Sequence, residues 1–148
     1  MKLYILNGPN LNLLGVREPE QYGSRSYADL LEMIRAHCAA RGVEAVCRQT
    51  NHEGTLVDWI QEAYAERADG IVINPGAYTH TSVALLDAVK ATRLPTVEVH
   101  ISRVEAREAF RQVSYIRAAC VKTITGHGLQ GYLEAIDFLL DGGGEAPR

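Results

Sequence analysis

Three cysteines, three lysines and no excess of positive charge bound what this 148-residue chain can do. Cys38, Cys47 and Cys120 are odd in number and widely spaced, which fits neither a disulfide framework nor paired zinc knuckles. They read as packed thiols of a protein kept in a reducing cytoplasm. Lysine is confined to Lys2, Lys90 and Lys122, and only Lys122 falls where burial is expected, so a Schiff-base mechanism has little material. A formal net charge of −3 and a pI near 5.9 argue against nucleic acid or an anionic membrane as the main partner. Small anions can still be held locally. No stretch of about 18 consecutive apolar residues occurs. Met1 leads at once into an apolar run with no basic segment before it, and a cytoplasmic location is expected. The P-loop pattern G-x-x-x-x-G-K-S/T and the G-x-S-x-G elbow are both missing, and the five histidines form no H-x-H or H-x-x-x-H pair. Nucleotide, serine-nucleophile and metal chemistry are therefore not expected.

What is present is a β-α alternation. With 47% hydrophobic residues the chain can bury roughly two thirds of its unfolded surface as one domain, residues 1–148. Apolar runs at 3–6, 43–48, 70–74, 96–101 and 120–125 are rich in Val and Ile and poor in alternation, as for parallel strands buried on both faces. Ser26 and Asp29 form a capping-box start for a helix over 27–41, with Leu30, Leu31, Ile34 and Cys38 inward and Gly42 as the stop. A second helix is expected over 54–67, with Leu56, Ile60, Ala63 and Tyr64 inside. A third follows Thr81-Ser82 through Leu85, Leu86 and Val89, a short fourth covers 104–110, a fifth covers 129–140, and 142–148 is a loose tail. Right-handed crossovers then favour one open α/β sheet of order 2-1-3-4-5. Ligands bind such sheets at the carboxyl ends of the strands where the order reverses, which points to the loops after strands one, three and four.

Those loops hold an unusual share of the polar residues. After strand one come Asn7, Asn10, Asn12, Arg17 and Tyr22; after strand three, Asn74, Thr79, His80, Thr81 and Ser82; strand four ends in Glu98, His100 and Ser102. Each also has a plain structural reading. Asn7-Gly8-Pro9-Asn10 would serve as a turn, Tyr22 as a packed ring, His80 as an imidazole bonded to backbone and Asp87 as a solvated helix charge. A tyrosine titrates near ~10, so acting as a base near neutrality needs roughly 4 kcal/mol of preference for the phenolate. One adjacent cation supplies part of that; Arg17 is placed to do so, with Arg107 or Arg111 as a second. The strand-one loop, about 15–25, is expected to close over the site as a lid. Glu98 and His100, two apart on a strand, share a face. A buried strand does not readily accept an acid and an imidazole unpaired, and paired they make a general acid. Ser102 follows on the same face, and the amides of Ile101 and Ser102 are suited to a carboxylate.

The residues Leu6-Asn-Gly-Pro-Asn-Leu-Asn-Leu-Leu-Gly15 with Arg17 and Tyr22-Gly23, Gln49-Thr-Asn-His-Glu-Gly54, Asn74-Pro-Gly-Ala-Tyr-Thr-His-Thr-Ser82, Glu98-Val-His-Ile-Ser102, and Arg107 to Arg111 with Ser114-Tyr115 resemble type II 3-dehydroquinate dehydratase, over essentially the whole chain. The resemblance implies a flavodoxin-like α/β subunit that converts 3-dehydroquinate to 3-dehydroshikimate and water without metal or organic cofactor. By that resemblance Tyr22 removes the C2 proton, Arg17 lowers its pKa, and His100, assisted by Glu98, protonates the departing C1 hydroxyl. Asn10 would hold the water that stabilises the enolate. Asn74, His80, Asp87 and Arg111 would bind ring hydroxyls, and Ile101 and Ser102 the carboxylate, with Arg107, Gly76 and Ala77 in support. It further implies a homododecamer of four trimers, with Asp87 reaching a neighbouring subunit's site. Arg103 and His127 depart from the family pattern, at the rim.

Three other readings compete. A receiver domain would want clustered acids after strand one and an Asp after strand three, where Asn7 and Asn74 stand. A flavin domain would want a hydroxyl-rich phosphate loop after strand one, which instead carries Pro9 and Pro19. An anion-binding protein that has lost activity stays open on sequence alone.

Overall fold

The computed structural model describes residues 1–16 and 25–143. Arg17 and Tyr22, with most of the expected lid, lie outside the described residues, as do 144–148 of the expected tail. Five strands, β1 (Lys2–Asn7), β2 (Glu44–Gln49), β3 (Gly70–Asn74), β4 (Thr96–His100) and β5 (Lys122–Thr125), form one sheet of order β2-β1-β3-β4-β5. Every pairing is parallel. The α-helices are α1 (Tyr27–Ala40), α2 (Glu53–Ala65), α3 (Val83–Thr92) and α4 (Gln130–Leu140). This is the flavodoxin-like arrangement that the sequence predicts.

Side chains alternate across a strand, so each face of the sheet gathers its own core. Leu3, Ile5, Val72, Val97 and Val99 meet Leu30 and Ile34 of α1 and Tyr132 and Ile136 of α4. Tyr4, Leu6, Ile71 and Ile73 meet Leu56 and Ile60 of α2, Leu85 and Val89 of α3, and Ile116. The predicted cap forms, with Ser26 Oγ accepting from the Asp29 amide at 3.1 Å and Asp29 Oδ2 accepting from the Ser26 amide at 2.9 Å; Ser82 Oγ also caps the third helix, accepting from the Leu85 amide at 3.0 Å. At the far end of α4, Gly142 has φ +80° and the Gly143 amide donates to Phe138 O at 2.8 Å, closing the helix.

Several expectations need correction. The edge strands are not buried on both faces: no residue of β2 is fully buried and only Ile124 of β5 is, because each has a sheet neighbour on one side alone. Lys122 is exposed there, its ammonium 4.9 Å from the Phe138 ring centre. Tyr64 does not pack inward either, being 62% exposed. No α-helix spans 104–110. Two 3-10 turns, Val104–Ala106 and Ala109–Gln112, stand there instead, parted by extended backbone at Arg107. The Gln112 amide donates to the carbonyls of Val104, Arg107 and Glu108 at 3.1–3.3 Å, replacing bonds that a helix would have made through its backbone.

Candidate active site

The carboxyl ends of β1 and β3 are tied together before any functional group is placed. Asn7 and Asn74 are register partners, and the Gly8 amide donates to Asn74 O at 2.8 Å. The backbones then approach so closely that a Cβ on Gly8 would stand 2.4 Å from Pro75 O, while Gly76, at φ +61°, lies against Pro9. Gly8→Ala is thus expected to cost about 1–3 kcal/mol or more, because a carbonyl in a packed loop has nowhere to go. A urea midpoint unchanged from wild type would show that the loops yield.

Under this crossing runs a buried chain of hydrogen bonds that sequence reading missed. Tyr132 Oη donates to Asn7 Oδ1 at 2.5 Å and accepts from Asn74 Nδ2 at 3.0 Å, and Asn74 Oδ1 accepts from the Gly76 amide at 3.1 Å. Burial pushes the Tyr132 phenol far up, so it stays neutral. Its sequence signal was only an aromatic among the apolar residues of a helix. Asn7 Nδ2 and Thr79 Oγ1 are buried without a hydrogen-bond partner among the described residues.

The loops after β1, β3 and β4 do converge on one cleft. Asn10, Asn74, Gly76, Ala77, His80, His100, Ile101, Ser102, Arg107 and Arg111 all line it. Leu11, Leu14 and Val104, which the sequence did not mark as site residues, give it an apolar floor. Asn10 adopts φ 70°, and its amide donates to Asn51 Oδ1 at 3.1 Å, which anchors the turn to the start of α2. Asp87 is exposed on α3 and does not line the cleft. Arg111 is bonded to Glu108 through Nε and sits 5.1 Å from the Phe110 ring.

Glu98 lies behind His100, fully buried on the face shared with Ile73, its register partner. His100 Nε2 is 2.5 Å from Glu98 Oε2. A carboxylate only accepts, so the ring donates from Nε2 and its other nitrogen is left for the cleft. Burial alone would push the Glu98 carboxyl up, but hydrogen bonds from His100 and Arg117, with their charges, outweigh it and bring it down to about 2. Ser114 Oγ at 2.9 Å completes the shell. Because the folded value lies below the ordinary 4.5, the ionised carboxylate stabilises the fold fully above that pH, and the contribution fades as pH falls toward about 2. Wild type should therefore lose a few kcal/mol more than Glu98→Gln between pH 5 and pH 2.5. Parallel urea-midpoint slopes for the two proteins would refute this.

His80 also lines the cleft, and its bland reading holds as well: Nδ1 lies 2.7 Å from Val113 O. The carbonyl can only accept, which fixes Nδ1 as the donor. Partial burial draws the imidazole below its usual value despite that bond, leaving Nε2 as an acceptor near neutrality.

The expectation that the chain lacks a G-x-G-x-x-G spacing needs correction. Gly126-His-Gly128-Leu-Gln-Gly131 has the G-x-G-x-x-G spacing, after a strand and opening a helix. It follows the edge strand and its amides are already committed: Gly126 donates to His100 O and Ser102 O at 3.3 and 3.1 Å, and Gly128 to Ile101 O at 3.1 Å. The segment clamps the 100–102 loop and has no amides from these two glycines to offer a phosphate. His127 is paired outward with Glu134 at 2.8 Å, and Arg103, 4.0 Å from Glu105, is exposed. Neither lines the cleft. Among the described residues, no group of three His, Cys, Asp or Glu side chains could hold a metal ion, and no helix is long and apolar enough to cross a membrane.

Comparison with known proteins bears directly on this cleft. The family model for class II dehydroquinase matches residues 1–140. A 3-dehydroquinate dehydratase of Acidovorax sp. (strain JS42) is 57% identical over 141 residues, covering 93% of this chain and 95% of the relative. The crystal structure of the type II dehydroquinase from Butyrivibrio crossotus DSM 2876 superposes with a TM-score of 0.93 at 50% identity, covering 95% of this chain and 97% of the other. That from Propionibacterium acnes gives 0.90 at 39% identity, over 95% and 96%. With fold and sequence in agreement across nearly its full length, the chain belongs to the class II dehydroquinase family.

Proposed function

We propose that this protein dehydrates 3-dehydroquinate to 3-dehydroshikimate and water through an enolate, within the shikimate route to aromatic amino acids. The observation that carries the reading is the Glu98–His100 pair: an imidazole held at 2.5 Å by a buried carboxylate, at the edge of a cleft with a cationic rim. On this reading Tyr22, with its phenolate favoured by Arg17, takes the C2 proton. His100 then gives a proton to the C1 hydroxyl as the C–O bond breaks, so that water leaves and the ring becomes a conjugated enone. Asn10 holds a water against the enolate oxygen. Asn74, His80 and Arg111 take ring hydroxyls, Ile101 and Ser102 the carboxylate, and Arg107, Gly76 and Ala77 shape the wall.

No metal or organic cofactor takes part in this scheme, and the enzyme works in the cytoplasm. Asp87, exposed and away from the cleft of its own chain, is free to complete a neighbour's site in a dodecamer of four trimers. Ultraviolet absorbance of the enone tests the reaction: it should grow when 3-dehydroquinate is added, with or without a chelator. Saturable substrate binding with no enone would favour the inactive anion binder instead. Light scattering that finds a fully active monomer would overturn the assembly.

A further inference from the structure

Arg117 stands on the short turn Ile116–Ala119 with 46% of its side chain exposed, yet it reaches a carboxylate with none. Its Nε donates to Glu98 Oε1 at 3.2 Å and its Nη2 to Glu98 Oε2 at 3.1 Å. Two bonds from one planar fork, each to its own carboxylate oxygen, fix the carboxylate's rotation as well as its place. Oε2, the oxygen that holds His100, is therefore oriented by Arg117 and Ser114 together, with Thr123 Oγ1 more distant on Oε1 at 3.4 Å.

We propose that Arg117 is a positioning residue for the acid step: it locks the Glu98 carboxylate in the plane that His100 needs and, as a cation behind it, eases release of the His100 proton to the leaving hydroxyl. This rests on His100 being the acid. A carboxylate–imidazolium pair without further charge holds its proton tightly, which suits orientation and opposes transfer. A third, positive member behind the carboxylate offsets part of that attraction. Among the described residues, Arg107 and Arg111 share the cleft with His100, and Cys120, His80 and Glu105 are the other titratable groups near the pair. Cys120 at the end of the Arg117 turn has a thiol pushed well up by burial and stays neutral. His80, from the turn after β3, is drawn down by burial. Glu105 is held down by hydrogen bonds at its own amide and lies within reach of the Arg117 charge. The guanidinium is thus the cation bonded directly to Glu98 besides His100 itself.

The test is kcat and KM across pH for wild type, Arg117→Gln, Arg117→Lys, His100→Ala and His100→Ala/Arg117→Gln, with 3-dehydroquinate as substrate. Arg117→Gln should lower kcat about tenfold at neutral pH with KM within about twofold, and move the basic limb upward by about half a unit to one unit, since an imidazolium without the cation keeps its proton longer. Arg117→Lys keeps the charge and loses the fork, so its basic limb should stay at the wild-type position while kcat falls severalfold. In the His100→Ala background, Arg117→Gln should have no further effect. Basic limbs that coincide in wild type and Arg117→Gln, or an equal fall in kcat with and without His100, would overturn the proposal and leave His100 as the acid. A His100→Ala enzyme with wild-type kcat would overturn both.

Discussion

Replacing His100 by alanine is expected to lower kcat by about 10²–10⁴-fold while changing KM little, the signature of a group that acts in the transition state rather than in binding. The hydroxyl that leaves is a poor leaving group unless it is protonated as the bond breaks. In the described part of the cleft, the imidazole backed by a buried carboxylate is the group built to do that. His80 lines the same cleft but donates through Nδ1 to a backbone carbonyl and is drawn down by burial, so it is a poor substitute acid. His100→Ala also leaves Glu98 buried with Arg117, Ser114 and Thr123 still bonded to it, and the carboxylate is not orphaned. The fold should therefore survive, and the loss should read as chemistry. A kcat within tenfold of wild type, only ~1.4 kcal/mol of barrier, would remove His100 from the mechanism.

How much of this was legible in the chain depended on how local each cause is. The Ser26–Asp29 cap, the buried run 70–74 and the Glu98–His100 spacing announce themselves within a few residues, and the structure reproduces them. The order 2-1-3-4-5 followed from crossover handedness. What failed or was missed rests on partners far along the sequence. Whether Lys122 is buried depends on which strand ends the sheet, and the failure of 104–110 to form a helix depends on the Gln112 side chain capturing carbonyls up to eight residues back. Tyr132 looks like any core aromatic until its hydroxyl is found bonded to Asn7, 125 residues away. Arg117 looks like a surface charge until Glu98, 19 residues earlier, is found beneath it. The glycines at 126, 128 and 131 carry a nucleotide-binding spacing, and only their bonding shows that they clamp the neighbouring loop instead.

Tyr22→Phe is expected to cost about 10²–10⁴-fold in kcat with little change in KM, because it removes the proposed base and no contact that ring hydroxyls or the carboxylate need. A described tyrosine at the carboxyl ends of β1 and β3 is no rival for that role. Tyr132 is fully buried, bonded to two asparagines and pushed far up by burial, so it has neither access nor acidity for the task. Among the described residues that line the cleft, His80 is the imidazole besides His100, and its Nε2 is an acceptor near neutrality. Arg17→Lys gives the complementary result: the charge stays but the planar fork is lost, the phenolate is favoured less, and the acidic limb of the pH–rate profile should move upward. His80→Ala separates the candidates. It should raise KM severalfold and spare kcat if Tyr22 is the base. If instead Tyr22→Phe retains more than a tenth of wild-type kcat and His80→Ala does not, proton removal belongs to the imidazole and the acidic limb should be indifferent to Arg17.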